Sequence, residues 1–310
     1  MVAIQSKVSV CIPTYNGAGY IRGALESVLC QTYQNFEIVI VDNASTDGTQ
    51  EVVAEFLARS QKIRYFRNEE NIGLAGNLNR CIQLARSEYI KYLCVDDLLT
   101  SDCLERMVSA LEENLNVSLV CGGRISIDEQ GHAFALKRYS SHETTVPGHK
   151  AISRCLFGSN FIGEPTAVIF RKTDVRSGFR DDLPQLMDME LWFKLLESGA
   201  LLSLDAPVCS IRFHEAQMTQ ENIRSGKLIE DNINLFNEFS GKSYLKVTAY
   251  LVKKHKLRMT HRIWMSRRCI DHAKRAELLR KYGVGVLYPF MPLISFVYAA
   301  KIKIAGVKWW

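Results

Sequence analysis

The sequence predicts an α/β fold: a mostly parallel central sheet with helices on both faces, followed by a basic, largely helical C-terminal arm. Three observations carry this expectation. Strand-like and helix-like segments alternate between Lys7 and Val95. The strand-like runs are continuously apolar, as burial on both faces demands. Positive charge is gathered at one end of the chain.

Each element has its own signal. Val8 to Ile12 is a short apolar run, and Tyr20 to Leu29 shows helical spacing through Ile21, Leu25, Val28 and Leu29. Phe36 to Val41 is nearly unbroken apolar. A helix over about Thr49 to Ala58, a strand over Ile63 to Phe66, a helix over Leu74 to Ala85 and a strand over Tyr89 to Val95 complete the alternation. Right-handed crossovers join such strands in parallel, and ligands of open α/β sheets collect at the carboxyl ends of the strands.

At 310 residues, 47% of them hydrophobic, the chain suits one large domain or two ordinary ones of a globular enzyme. Nine cysteines stand singly, at Cys11, Cys30, Cys81, Cys94, Cys103, Cys121, Cys155, Cys209 and Cys269. No pair has zinc-ligand or redox spacing, so they read as reduced core thiols of a cytosolic chain. No apolar leader precedes Val8, and export is not expected. The net charge of +6 hides an asymmetry: residues 241–310 hold 16 Lys or Arg against Asp271 and Glu277, a net of +14, and the first 240 residues are net −8. A boundary is therefore expected near Gly241, between a domain over 1–240 and an arm over 241–310 with an anionic partner.

Polar residues close the strands. Asp42-Asn43-Ala44-Ser45-Thr46-Asp47-Gly48-Thr49 reads either as a turn with a helix cap or as a nucleotide loop in which Asp42 accepts hydrogen bonds from a ribose or base. The Gly-rich phosphate fingerprint of dinucleotide folds is absent, which points to a different nucleotide fold. Cys94-Val95-Asp96-Asp97 reads either as a metal-diphosphate site or as a cap for a helix over Ser101 to Leu111. Asp188-Met189-Glu190-Leu191-Trp192 opens an amphipathic helix running to about Leu196. Asp188 is there either as a general base or as an acid favoured at a helix N-terminus.

Val8 to Asn16, Ser27 to Tyr33, Phe36 to Thr49, Asn71 to Asn77, Tyr89 to Asp97 and Asp188 to Trp192 together resemble the family 2 glycosyltransferases. The similarity covers roughly residues 5 to 220. It implies a GT-A fold, a nucleotide-diphosphate sugar donor and inversion at the anomeric carbon. The nucleotide-sugar half is expected over about 1–122 and the acceptor half over about 123–240. By the same resemblance Asp42 holds the base or ribose, Asp47 lies near it, Pro13 and Tyr15 line the nucleotide pocket, and Asn77 and Asp96 complete the donor site. Glu164, in Gly163-Glu164-Pro165-Thr166, resembles the acceptor-side segment, with Trp192 beside it; a plain turn is the other reading of that segment.

The chemistry implied is demanding in identifiable ways. A leaving nucleoside diphosphate gathers negative charge, which Mn2+ or Mg2+ offsets as a Lewis acid, held by hard oxygen ligands and few protein carboxylates. Asp96 matches the last acid of the family's Asp-x-Asp motif, Asp97 follows it, and His214 stands where relatives carry a metal- or diphosphate-contacting histidine, although a lone His is also often structural. Cys94 occupies the first acidic place, and a neutral thiol is a poor ligand for a hard cation. Asp188 matches the base that takes the acceptor hydroxyl proton; Met187 stands where relatives commonly have Glu.

In the arm, Val284 to Ala300 is uncharged and mostly apolar but broken by Pro289 and Pro292, and Lys301, Lys303, Lys308, Trp309 and Trp310 follow. Short of the about 20 residues a spanning helix needs, it suits the membrane interface, with tryptophans at headgroup depth and lysines on anionic lipid. Packing on the catalytic domain or across a dimer is the alternative. No nucleic-acid reader motif is present. The sequence thus predicts a cytoplasmic enzyme peripheral to the inner face of the cell membrane, building a surface glycan on a glycan or lipid-linked acceptor; it is compatible with a homo-oligomer. A nucleotidyltransferase, or a silent nucleotide-sugar-binding membrane scaffold, is the competing reading.

Overall fold

The computed structural model describes residues 6–215 and 217–292, except the side chains of Val286 and Leu287. The chain divides into two compact units, Met1–Glu215 and Ala216–Trp310.

The first unit opens with β1 (Val8–Thr14), α1 (Ile21–Leu29), β2 (Phe36–Asp42), α2 (Thr49–Leu57), β3 (Ile63–Arg67), α3 (Gly73–Leu84) and β4 (Tyr89–Tyr92). Every residue of β1 and β2 is buried, which is why their apolar runs do not alternate. These four strands pair in parallel in the order β3-β2-β1-β4. Pro13 brings no N–H to the ladder, and it falls two residues past the last β1–β4 pair, Cys11 with Tyr92.

Next come β5 (Leu98–Leu99), α4 (Cys103–Glu113), β6 (Val117–Ile127), β7 (Ala133–Lys137), β8 (Thr144–Pro147), α5 (Gly148–Leu156), β9 (Val168–Arg171), α6 (Met187–Leu196) and β10 (Ala200–Arg212). They extend the sheet to β3-β2-β1-β4-β9-β6-β10-β5. β9 is antiparallel to both β4 and β6, while β10 is parallel to β6. Two reversals cancel, so β6 and β10 run in the direction of β1, β2 and β4. The sheet is therefore mixed, two parallel blocks on either side of the reversed β9, with β5, β7 and β8 antiparallel to their neighbours in the second block. That arrangement brings the carboxyl ends of β1, β2, β4 and β10 and the amino end of β9 to a single edge.

Two boundaries differ from the sequence reading. β4 ends at Tyr92, ahead of the expected Val95, because the Cys94 N–H leaves the ladder for the Thr166 hydroxyl at 3.0 Å. α4 begins at Cys103, whose N–H closes a turn on the Thr100 carbonyl at 3.1 Å. Asp96 and Asp97 stand well ahead of this helix and do not cap it.

The described part of the second unit holds α7 (Met218–Arg224), α8 (Lys227–Phe239), α9 (Ala249–Met265) and α10 (His272–Tyr282), with short 3-10 turns after α9 and α10. Ile229, Ile233, Phe236 and Phe239 of α8 are buried, and His255 of α9 stacks on Phe236 with ring centroids 4.0 Å apart. The unit begins earlier than the Gly241 boundary that charge suggested. Charge follows composition, and α8 carries Glu230, Asp231 and Glu238; its apolar face nevertheless packs with α9 and α10. Among the described residues no helix is long and apolar enough to cross a membrane. Residues 293–310 of the expected membrane-interface segment, with Lys301, Lys303, Lys308, Trp309 and Trp310, lie outside the described residues.

Candidate active site

The loops after β1 and β2 are laced together at the common edge. The N–H groups of Asn16, Gly17 and Ala18 donate to Ser45 Oγ at 2.9 Å, Thr49 Oγ1 at 2.9 Å and Asp47 Oδ2 at 3.0 Å, and the Thr46 N–H donates back to Asn16 Oδ1 at 2.8 Å. Asn16 and Ala44 adopt φ of 51° and 63°, a left-handed conformation costly for alanine. Such strain is typical of ligand-binding loops. Asp42, fully buried, accepts from the Ser45 N–H at 2.8 Å, the Tyr65 hydroxyl at 2.6 Å and Arg67 Nη1 at 3.0 Å. Burial, with the Asp42 carboxylate next, pushes the Tyr65 phenol up to about 12. Asp47 is exposed; burial of its carboxyl is outweighed by hydrogen bonds from Thr49 and the Ala18 N–H, which hold it below the usual range. Tyr15 is 50% exposed at the mouth of these loops.

Beyond β4, Asp96 and Asp97 take different environments. Asp97 is buried, and its two oxygens accept from Thr166 Oγ1 at 2.6 Å and the Arg212 N–H at 3.0 Å. Burial and then the neighbouring Asp96 charge push its carboxyl well up. Asp96 is partly exposed, and its Oδ2 lies 3.1 Å from His214 Nε2. His214 stacks on Tyr20 at 5.2 Å, while Arg212, just before it, donates Nε to the Asp96 carbonyl at 3.0 Å. The Cys94 thiol is pushed well up by burial and by Asp97 and Asp96, so it is neutral.

The third cluster surrounds Asp188 in the first turn of α6. Its Oδ1 accepts from the Met189 N–H at 2.6 Å and its Oδ2 is 3.5 Å from Asn160 Nδ2. Burial pushes its carboxyl up to about 7, with the Met189 N–H pulling down and the Glu164 charge pushing further up. Trp192, one turn on and fully buried, donates Nε1 to the Gly163 carbonyl at 3.1 Å. Arg124 of β6 forms an ion pair with Glu164 at 2.6 Å.

Segment 160–166, leading into β9, joins the second and third clusters. Asn160 and Gly163 bond Asp188 and Trp192, and Thr166 bonds Asp97 and the Cys94 N–H. Gly163 and Thr166 are three residues apart, at most about 11 Å, and Asn160 and Thr166 six, at most about 22 Å, so both clusters face one short stretch of chain. The electrostatics agree, since the Glu164 charge acts on both Asp97 and Asp188.

Among the described residues no group of three or more His, Cys, Asp and Glu side chains forms a ready-made metal cage. The pair available is Asp96 and His214, a hard carboxylate beside an imidazole, and this fits a cation that takes one or two protein ligands and completes its shell with phosphate oxygens and water. A cavity of about 490 Å³, lined by Lys7, Arg86, Glu88 and Lys172 among others, lies at the opposite edge, by the amino ends of β1 and β4.

The description Glycosyl transferase family 2 matches residues 9–179. The chain belongs to that family. A relative named as an uncharacterised glycosyltransferase of Rickettsia felis is 36% identical over 214 residues, covering 68% of this chain and 35% of the relative. The chain thus spans about a third of that relative's length. S. aureus TarS (residues 1–349) in complex with UDP-GlcNAc superposes with a TM-score of 0.61 at 19% identity, covering 91% of each chain. A mannosyltransferase of Pyrobaculum calidifontis in complex with GDP-Man and Mn2+ gives 0.57 at 18% identity, covering 97% of this chain and 87% of the other. These likenesses bear out the GT-A fold that the family motifs imply.

Within that fold the expected residues fall into two sets. Asp42, Asp47, Tyr15 and Pro13 sit at the β1 and β2 ends, Asp96 with His214 at the β4 and β10 ends, and Glu164 with Asp188 along segment 160–166 ahead of β9. Asp42, Asn77, Asp97 and Trp192 are buried, with side-chain hydrogen bonds committed inside the protein: Asn77 donates to the Val41 carbonyl at 2.9 Å and accepts from Asn68 at 3.1 Å. Residues missed from sequence are Tyr65 and Arg67 on Asp42, Tyr20 under His214, and Asn160 and Arg124 beside Asp188. Arg124 had a readable signal, a charge inside the apolar run Val117 to Ile127, because a buried charge requires partners.

Proposed function

We propose that the chain transfers a sugar, with inversion, from a nucleotide-diphosphate sugar to a hydroxyl of a glycan or lipid-linked acceptor. The observation that carries this reading is segment 160–166, bonded at one end to Asp188 and at the other to Asp97, next to Asp96. The laced loops would receive the nucleoside, with Asp42 bracing them from below through the Ser45 N–H; Asp96 and His214 would hold Mn2+ or Mg2+, with Asp97 positioning rather than ligating. When bound, such a cation supplies Lewis-acid stabilisation of the leaving diphosphate. The reading is supported by relatives in the family and by neighbours that bind UDP-GlcNAc or GDP-Man.

In the transfer, the acceptor oxygen attacks the anomeric carbon as the bond to the diphosphate oxygen breaks and its electron pair leaves with the diphosphate. The hydroxyl proton passes to the Asp188 carboxylate. A base whose pKa is near the working pH suits both taking and releasing that proton. The competing nucleotidyltransferase would use a basic phosphate loop after β1, and Thr14-Tyr15-Asn16-Gly17 offers no Lys or Arg. For location we propose an anionic membrane surface, on the strength of the +14 arm and exposed Lys253, Lys254, Arg267 and Arg268.

The test pairs binding with turnover. Thermal shift with UDP, GDP and dTDP, each with Mn2+, identifies the base. Asp188→Asn then keeps that shift and loses transfer from the matching nucleotide sugar. Retained transfer would reject the assignment.

A further inference from the structure

Arg124 is 4% exposed and lies in β6, far from Asp188 in sequence. Its guanidinium is spent almost entirely on one short segment. Nη2 donates to the Asn160 carbonyl at 2.9 Å, Nη1 to the carbonyls of Phe161 at 3.3 Å and Ile162 at 3.2 Å, and Nε pairs with Glu164 at 2.6 Å. The next residue in this grip is Gly163, at φ +124°, where a Cβ would stand 2.8 Å from Arg124 Nη1 and 2.8 Å from Ala167 Cβ. Only glycine permits the backbone to lie that close and in that conformation. A buried cation that replaces its water shell with three carbonyls and a carboxylate fixes all four in place.

We propose that Arg124 is a positioning residue for the base: by gripping segment 160–164 from β6 it sets where Asn160 and Glu164 stand against Asp188. The segment reaches Asp188 through Asn160 Nδ2, Trp192 through the Gly163 carbonyl, and the acceptor side through Glu164, whose side chain is 38% exposed. The charged groups acting on Asp188 are Glu164 from this segment and Arg124 from β6; the Met189 N–H acts on it from its own helix. Their signs are opposed. Arg124 favours the carboxylate and Glu164 disfavours it, so the pair tunes Asp188 as well as placing it.

This inference rests on Asp188 being the base, yet it is tested without turnover. In protein carrying 13C at the aspartate carboxyls, the Asp188 resonance is assigned by its loss in Asp188→Asn, and its titration is followed in wild type, Glu164→Gln, Arg124→Gln and Arg124→Lys, with circular dichroism as the check on folding. The Asp188 midpoint should fall by about one unit in Glu164→Gln and rise by about one in Arg124→Gln, with Arg124→Lys restoring part of the difference. Folded variants whose midpoint does not move would overturn the proposal. If Arg124→Gln does not fold, Glu164→Gln and Arg124→Lys decide by the same criterion. Transfer by Asp188→Asn would sink the base assignment instead, and leaves the titration result standing on its own.

Discussion

Asp188→Asn should make the protein inactive and, above neutral pH, more stable. The fold opposes ionisation of this carboxyl, raising it from 3.8 to about 7. Three units at about 1.4 kcal/mol each set a ceiling of about 4 kcal/mol on the cost of keeping the carboxylate charged, and water at the half-buried group lowers this to about 2–4 kcal/mol. The sign follows from the two states. Below the unfolded value near 4 the group is protonated in both, and the variant gains nothing. Between there and 7 only the unfolded chain releases the proton, so wild-type stability falls as pH rises and the advantage of asparagine grows. Above 7 it is constant. For a unit of this size the gain is a rise in melting temperature on the order of 5–10 °C. Differential scanning fluorimetry of both proteins at half-unit steps from pH 4.5 to 8.5 reads it. A melting difference that does not grow with pH, in a variant that still folds, refutes the argument that burial holds this carboxyl up.

Wild-type turnover should be half-maximal near pH 7 and about tenfold below its maximum at pH 6, since the base acts as the carboxylate; a flat profile between 6 and 8 in steady-state assays removes Asp188 from that role. His214→Ala should weaken binding of nucleoside diphosphate with Mn2+ by about tenfold or more in calorimetry and leave metal-free binding nearly unchanged. Cys94→Asp adds a third acid beside Asp96 and Asp97, so it should tighten Mn2+ binding and lower the melting temperature without metal; the reverse pattern counts against a cation there. Asp42→Ala leaves the Ser45 N–H and the Tyr65 hydroxyl without their acceptor and should cost about 3 kcal/mol in urea unfolding.

The half of the sheet from β1 to β4 was legible because its elements are local: the apolar runs at Val8 and Phe36 each end in one of the polar loops laced together at the sheet edge, and the boundaries differ by three residues at most. The surroundings of Asp188 were not. Asn160 reaches Asp188 across 28 positions and Arg124 reaches Asn160 across 36, separations at which no periodicity reports contact. The reversed direction of β9 was hidden for the same reason, since an apolar run such as Ala167 to Phe170 gives the same pattern whichever way it runs. The different settings of Asp96 and Asp97 were hidden as well: which of two adjacent acids turns inward depends on Thr166 and the Arg212 N–H, residues of distant segments.

The backward run of β9 between the two parallel blocks has an architectural consequence. A chain that only adds parallel strands can reach the working rim solely by finishing there, each loop departing toward a helix. β9 arrives from the rim, so the stretch ahead of it is an entry rather than an exit, and residues there can differ without re-registering β1, β2 and β4. On the proposed function, one half of such an enzyme can be rewritten for new acceptors while the other keeps its grip on the same donor.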